Sequence, residues 1–261
     1  AVERTLNALR HYREITDEYR VETVIVGGTS AMRDAENGDD FIARVKAELG
    51  WEIGILTGDD EARLTFLSAQ QEFGDSDGDM LVVDIGGGST EFISGNRNAL
   101  RSMKSLDIGT VRFTEQFIDN DPPTPAELTA ARKTVQQHLQ TGLDALKINP
   151  ENSALIGVAG TVTTLLAVEK EMSEYIPEEI HKQPLTRDQI DGLLDLFCSV
   201  PFGERQQLPG LQPKRADVII MGAIILQEIM THFGYNRLLV NDRGVRYGLL
   251  YDYLQRRTSQ D

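Results

Sequence analysis

The sequence predicts an α/β protein, and three observations carry the prediction. Short apolar, β-branched runs alternate with longer segments of helical spacing. Two of those runs, residues 81–85 and 154–158, end directly in glycine-rich turns, where a strand delivers the chain to a loop that another molecule can approach closely. The stretches EFISG and ALRSMKSL flank the turn NRN, which adds an antiparallel pair to the alternation.

Taken in order, residues 3–19 are charged and amphipathic and read as a first helix, followed by the apolar strand TVIVGG. Residues 39–49 repeat the helical spacing, WEIGIL is a second strand, and DDEARLTFLSAQQEF is a helix that opens on three acids. The turn GDSDGD leads into LVVDIGGGSTEF, then the antiparallel pair. At DNDPPTPAEL three prolines fall in four positions, with Thr124 placed to cap a helix, Pro125 at its first position and Glu127 at its third. The expected domain boundary lies here, giving domains over residues 1–120 and 121–261. Beyond it come a helix over 126–146, the strand SALIGVAG, and helices over 161–171, 187–199, 214–233 and 245–257, with the strand RLLVND between the last two.

Composition narrows the function classes. At 261 residues the chain is long enough for two domains, and 40% hydrophobic with 26% charged residues suits a globular protein. No apolar run approaches the ~20 residues of a membrane span. The single cysteine, Cys198, rules out an internal disulfide, and four scattered histidines give no zinc-ligand spacing. A cytoplasmic location is the expectation. The formal charge of −15 argues against a nucleic-acid partner. It also opposes any polyanion at long range, so a phosphate site here must be local, built from backbone amides, a few arginines and bound metal.

The stretch LVVDIGGGSTEF meets that requirement. A buried strand gains nothing from ending in an aspartate and three glycines unless a ligand sits there. Successive exposed N–H groups in such a turn form an anion nest. Asp84 and Glu91 bracket it and could hold a hard divalent cation. The bland reading is a tight hairpin turn with solvated acids. The second turn, GVAGTVTTLL, places amides at a helix N-terminus; the bland reading there is an ordinary strand–helix connection with Thr161 as N-cap. Asp59, Asp60 and Glu61 at a helix start suit the dipole, and any one of them could orient or deprotonate water. Arg33 follows a hydroxyl-bearing turn and is either a ligand contact or a surface arginine paired to Asp34 or Glu36. Arg205, Lys214 and Arg215 precede one apolar helix, and Arg243 and Arg246 stand at the start of another.

Six stretches in order, GGTSAMRDAEN, ILTGDDEARLTFL, LVVDIGGGSTEF, GVAGTVTTL, LPGLQPKRADVI and DRGVRYGLL, resemble the exopolyphosphatase/guanosine pentaphosphate phosphohydrolase family, within the actin-like, sugar-kinase and Hsp70 superfamily. In length the chain resembles its short, two-domain members. The resemblance implies two actin-like (ribonuclease H-like) domains with an interdomain cleft. It makes Glu61 the residue that activates water, with Asp60 a conservative departure from the family's Glu-Glu-Ala-Arg-Leu. It further implies Asp84 and Glu91 as magnesium (Mg2+) carboxylates, Gly86, Gly87, Gly88 and Ser89 as a phosphate loop, and Arg33 as a phosphate contact. The implied substrate is inorganic polyphosphate, or the alarmone pppGpp, and a homodimer is a further expectation. The family opens with a strand and an Asp-x-Gly-Thr/Ser-Asn-Ser/Thr turn that this sequence lacks, so the N-terminal strand segment of the first domain is expected to be absent from the numbered chain. A non-catalytic phosphate sensor and an actin-like kinase are the competing classes; retained Glu61 beside DIGGGST opposes the first, and fold alone supports the second.

Overall fold

The computed structural model describes residues 2–74, 78–144, 146 and 148–258. Part of the turn expected over 74–79 lies outside them. The elements in chain order begin with α1 (Val2–Glu18), β1 (Val26–Gly28), α2 (Ser30–Arg33), α3 (Gly38–Leu49), β2 (Ile53–Ile55) and α4 (Gly58–Phe73). Next come β3 (Asp79–Ile85), β4 (Thr90–Gly95), β5 (Leu100–Leu106), α5 (Thr110–Phe117), α6 (Pro125–Gly142), β6 (Ser153–Val158) and α7 (Ala159–Glu169). The chain continues through α8 (Pro177–Ile180), β7 (Pro184–Thr186), α9 (Arg187–Ser199), α10 (Phe202–Arg205), α11 (Ile219–Phe233), β8 (Arg237–Asn241) and α12 (Val245–Thr258).

Contacts divide the chain into two compact units, Ala1–Leu64 with Val245–Asp261, and Thr65–Gly244. That division differs from the split expected at residue 120, and the sheet supplies the reason. Strand β3, before the proline-rich segment, pairs in parallel with β6, after it, from Asp79↔Ser153 to Asp84↔Val158. A change in composition marks the surface segment 119–125, while the hydrogen-bond ladder continues across it.

In the first unit, β1 and β2 pair in parallel. Phe41, Val45 and Leu49 recur every four residues on α3 and so share one face, which packs with Leu6 of α1 and Trp51. The α3 helix stops at Gly50, whose φ of 71° is left-handed, with its N–H donating to the Lys46 carbonyl.

In the second unit, six strands form one sheet in the order β5-β4-β3-β6-β8-β7. The β3–β4–β5 meander is antiparallel, β3, β6 and β8 run parallel, and β7 closes the far edge antiparallel to β8. A meander continued by parallel strands with intervening helices is the expected ribonuclease H-like arrangement. Leu81, Val83, Ile85 and Phe92 of the sheet join one large core with α11, which is buried on all sides from Ile219 to Leu226. The capping box expected at α6 is present: the Thr124 hydroxyl accepts from the Glu127 N–H, and the Glu127 carboxylate accepts from the Thr124 N–H and hydroxyl. These bonds, with others from Asn120 and Asp119, hold the Glu127 carboxyl down at about 2. No helix among the described residues is long and apolar enough to cross a membrane.

Candidate active site

The three acids at the start of α4 have different surroundings. Thr57 and Asp60 close a capping box: the Asp60 N–H donates to the Thr57 hydroxyl at 3.1 Å, and the Asp60 carboxylate accepts from the Thr57 hydroxyl at 2.7 Å and N–H at 3.2 Å. The hydroxyl first, and the backbone N–H second, hold the Asp60 carboxyl below its usual range. Asp60 is therefore committed to capping the start of the helix. Glu61, one residue on, is turned to Arg33, whose Nη1 donates to Glu61 Oε1 at 3.1 Å and to the Leu56 carbonyl at 2.7 Å. Asp34 lies 3.7 Å from Arg33 Nε, which is the local acid pair expected for this arginine, whereas its contact with Glu61 is one the sequence reading did not anticipate.

In the second unit, register brings the carboxylates of the glycine stretch together. Asp84 and Glu91 are direct partners across β3 and β4, and Glu91 is the direct partner of Ser105 across β4 and β5. Directly opposite residues project to the same side of a sheet, about 5 Å apart at Cβ, so the three form a row on one face. Glu91 Oε1 accepts from Ser105 Oγ at 2.8 Å and from Ser89 Oγ at 2.7 Å.

The loop over residues 86–89 is held from behind by α5. The Gly86 carbonyl accepts from the Thr110 N–H, and the Gly87 carbonyl accepts from the N–H groups of Val111 and Arg112. The Gly88 carbonyl accepts from Arg112 Nε at 2.9 Å. In a trans peptide the C=O of one residue and the N–H of the next point in opposite directions. Three carbonyls facing α5 thus direct the N–H groups of Gly87, Gly88 and Ser89 away from it. Gly87 and Gly88 are exposed. Gly109 makes the approach possible, because a Cβ there would fall under 3.0 Å from the carbonyl groups of the loop.

The second glycine turn is tighter than expected. Helix α7 begins at Ala159, with Val158 as its N-cap and no side-chain capping bond. Thr161 is inside the helix and donates its hydroxyl to the Ile85 carbonyl, so it does not cap. Ala159 has a φ of 67°, a left-handed conformation that costs a residue bearing a Cβ of the order of 1 kcal/mol. Gly160 leaves room for the Arg215 guanidinium, and both line a cavity of about 280 Å³ with Thr163, Tyr175, Gln212 and Asp242.

The other basic residues separate by environment. Arg205 is buried, bonded to Asp121 at 2.7 Å and to the Phe197 carbonyl, and is structural. Arg243 meets buried Glu72 at 2.5 Å, alongside His181 and Lys182. Thr57 in the first unit fixes the start of α4, and Ser105, Gly109 and Arg112 in the second fix the carboxylate row and the 86–89 loop; the sequence reading did not single them out. Thr57 had a signal in Thr-x-x-Asp before an apolar run, and Ser105 could be counted from the NRN turn.

A model of the Ppx/GppA phosphatase family matches residues 1–257. Over 258 residues the chain is 40% identical to the bifunctional 3-dehydroquinate synthase/phosphatase of Fusobacterium nucleatum, an alignment covering 97% of this chain and 38% of that protein. It is 33% identical to exopolyphosphatase 2 of Mycobacterium tuberculosis, covering 95% of this chain and 80% of that one. The crystal structure of the Aquifex aeolicus member of the Ppx/GppA family superimposes with a TM-score of 0.86 at 33% identity, over 98% of this chain and 82% of that chain.

Proposed function

The chain belongs to the Ppx/GppA phosphatase family, and from that premise we propose that it hydrolyses the terminal phosphoanhydride bond of inorganic polyphosphate. One observation carries the reading: three successive backbone amides of the 86–89 loop are directed away from α5, beside two carboxylates set opposite each other. Amides so fixed stabilise phosphoryl charge without having to reorganise as it develops. Ser89 is already bonded to Glu91, which fixes the loop's end relative to the carboxylate row.

Glu61 is the general base. It takes a proton from water while the water oxygen bonds to the terminal phosphorus and the bridging P–O bond breaks, leaving orthophosphate and a chain one unit shorter. Arg33 contributes its charge beside that base. Asp84 and Glu91, direct partners across β3 and β4, suit a magnesium ion, since this hard cation takes one or two carboxylates and completes its shell with water and phosphate oxygens. Such an ion, when bound, neutralises phosphate charge.

Orthophosphate release from long-chain polyphosphate and from pppGpp, at matched concentration across a magnesium titration, tests the reading. Faster release from polyphosphate is expected; faster release from pppGpp reassigns the substrate, and none from either overturns the hydrolase. In the same titration Asp84→Asn should raise the magnesium needed for half-maximal rate, because asparagine keeps an oxygen ligand but brings no charge. Superimposed curves would remove Asp84 from the metal site.

A further inference from the structure

Arg33 touches the proposed base through an unusually well-fixed nitrogen. Its Nη1 donates to the Leu56 carbonyl at 2.7 Å as well as to Glu61 Oε1 at 3.1 Å. Leu56 is itself fixed, since its N–H donates to the Gly28 carbonyl at the end of β1 at 2.8 Å. The guanidinium nitrogen is thus anchored on the backbone of the β2–α4 connection. Glu61 is fixed from its own side: its N–H donates to the Thr57 carbonyl at 2.9 Å, within the turn that Thr57 and Asp60 close. Between them these bonds set where the carboxylate lies, and they leave Glu61 Oε2 without a hydrogen bond among the described residues.

We propose that Arg33 is a positioning residue for Glu61, holding Oε1 so that Oε2 meets the attacking water; the inference rests on the hydrolase reading above. A phosphate contact alone would need no carboxylate partner and no backbone anchor. A carboxylate on a flexible stem gains from such a clamp because small errors in reacting geometry are costly, ~10²-fold for about 1 Å. Lysine at position 33 would carry the charge but not the rigid planar fork, and so would hold the carboxylate less well.

Steady-state phosphate release from polyphosphate by Arg33→Lys, Arg33→Gln, Glu61→Gln and the double variant Arg33→Gln/Glu61→Gln tests this. Arg33→Gln should lower kcat by about 10- to 100-fold with KM within about 3-fold of the parent. Arg33→Lys should recover part of the loss. The double variant should be no slower than Glu61→Gln alone, because an arginine acting through Glu61 has nothing left to position. A rise in KM with kcat unchanged would make Arg33 a substrate contact and overturn the proposal. So would a double variant slower than Glu61→Gln by the full Arg33→Gln factor. Melting curves of each variant separate these outcomes from unfolding, with Arg33→Lys as the mildest change. A parent protein that releases no phosphate from any substrate fails the hydrolase reading itself, and the inference falls with it; the other outcomes leave that reading standing.

Discussion

Gly109→Ala is the sharpest perturbation of the site, although position 109 touches no proposed substrate. Gly109 is the N-cap of α5 with φ −134° and ψ 153°, an extended conformation open to any residue, so the substitution carries no backbone strain. Its effect is steric. The added Cβ would lie under 3.0 Å from the Gly87 carbonyl oxygen and carbon and the Gly88 carbonyl carbon, a range that real Cβ atoms essentially never occupy. These are backbone atoms, so no rotamer change relieves the clash. Either the loop retreats by about 1 Å or α5 does. Overpacking of this kind costs about 1–3 kcal/mol. For a protein of this size that lowers the melting temperature by roughly 2–10 °C. A ~1 Å displacement of the loop amides should lower kcat/KM by about 10²-fold. Melting by circular dichroism and phosphate-release kinetics on the same preparation measure both. A variant with parental melting and parental kcat/KM would show that the loop does not rest on α5 as described.

Gly88 offers the converse case: a Cβ there meets nothing within 4 Å, so Gly88→Ala should melt like the parent while losing activity, because the methyl group intrudes where a phosphate would meet the loop amides. Full activity of Gly88→Ala would free the loop from close ligand contact. Glu61→Gln should lower kcat by about 10²- to 10⁴-fold with melting little changed, whereas Asp60→Asn, which weakens a cap, should affect turnover far less. The reverse ranking would show that Asp60 is the base. Acid should weaken α6 through Glu127: its folded pKa of about 2 lies below the ordinary 4.5, so its stabilisation is complete above about 4.5 and is lost as the pH falls through about 2. Melting temperatures of the parent and Glu127→Gln between pH 5 and 2.5 should converge toward the acid end, and parallel curves would contradict this linkage.

What the sequence disclosed follows from how local each determinant is. The α/β alternation, the meander and the Thr124–Glu127 box depend on neighbours in the chain, and all are present. The start of α11 is misread as residue 214 because Pro213–Arg215 form a short 3₁₀ turn whose composition resembles a helix start. Ala159 adopts a left-handed φ that an alanine does not announce. Thr161 looked like a cap because its hydroxyl stood after a glycine, yet that hydroxyl reaches a carbonyl 76 residues away. Among the three acids of α4, spacing alone could not choose. The discriminating bonds are the local Thr57–Asp60 box, legible in principle, and the contact from Arg33, 28 residues earlier, which only the fold supplies.

The arrangement also accounts for how so acidic a chain could hold a polyanion. At a formal charge of −15 the long-range field opposes phosphate, and screening removes most of that opposition beyond about 8 Å at physiological salt. What remains is decided at contact distance. Directly opposed carboxylates such as Asp84 and Glu91 are destabilising on a sheet unless something compensates them. For Glu91 the hydroxyls of Ser89 and Ser105 do so in part. The loop beside them turns its carbonyls to the N-terminus of α5, which satisfies that helix's first N–H groups, and leaves its own amides facing the other way. Positive character is thereby passed from the helix end to the loop beside the two carboxylates. An anion alone would be repelled by that carboxylate pair and a cation alone by the amides, whereas the magnesium-bound phosphate proposed above would satisfy both.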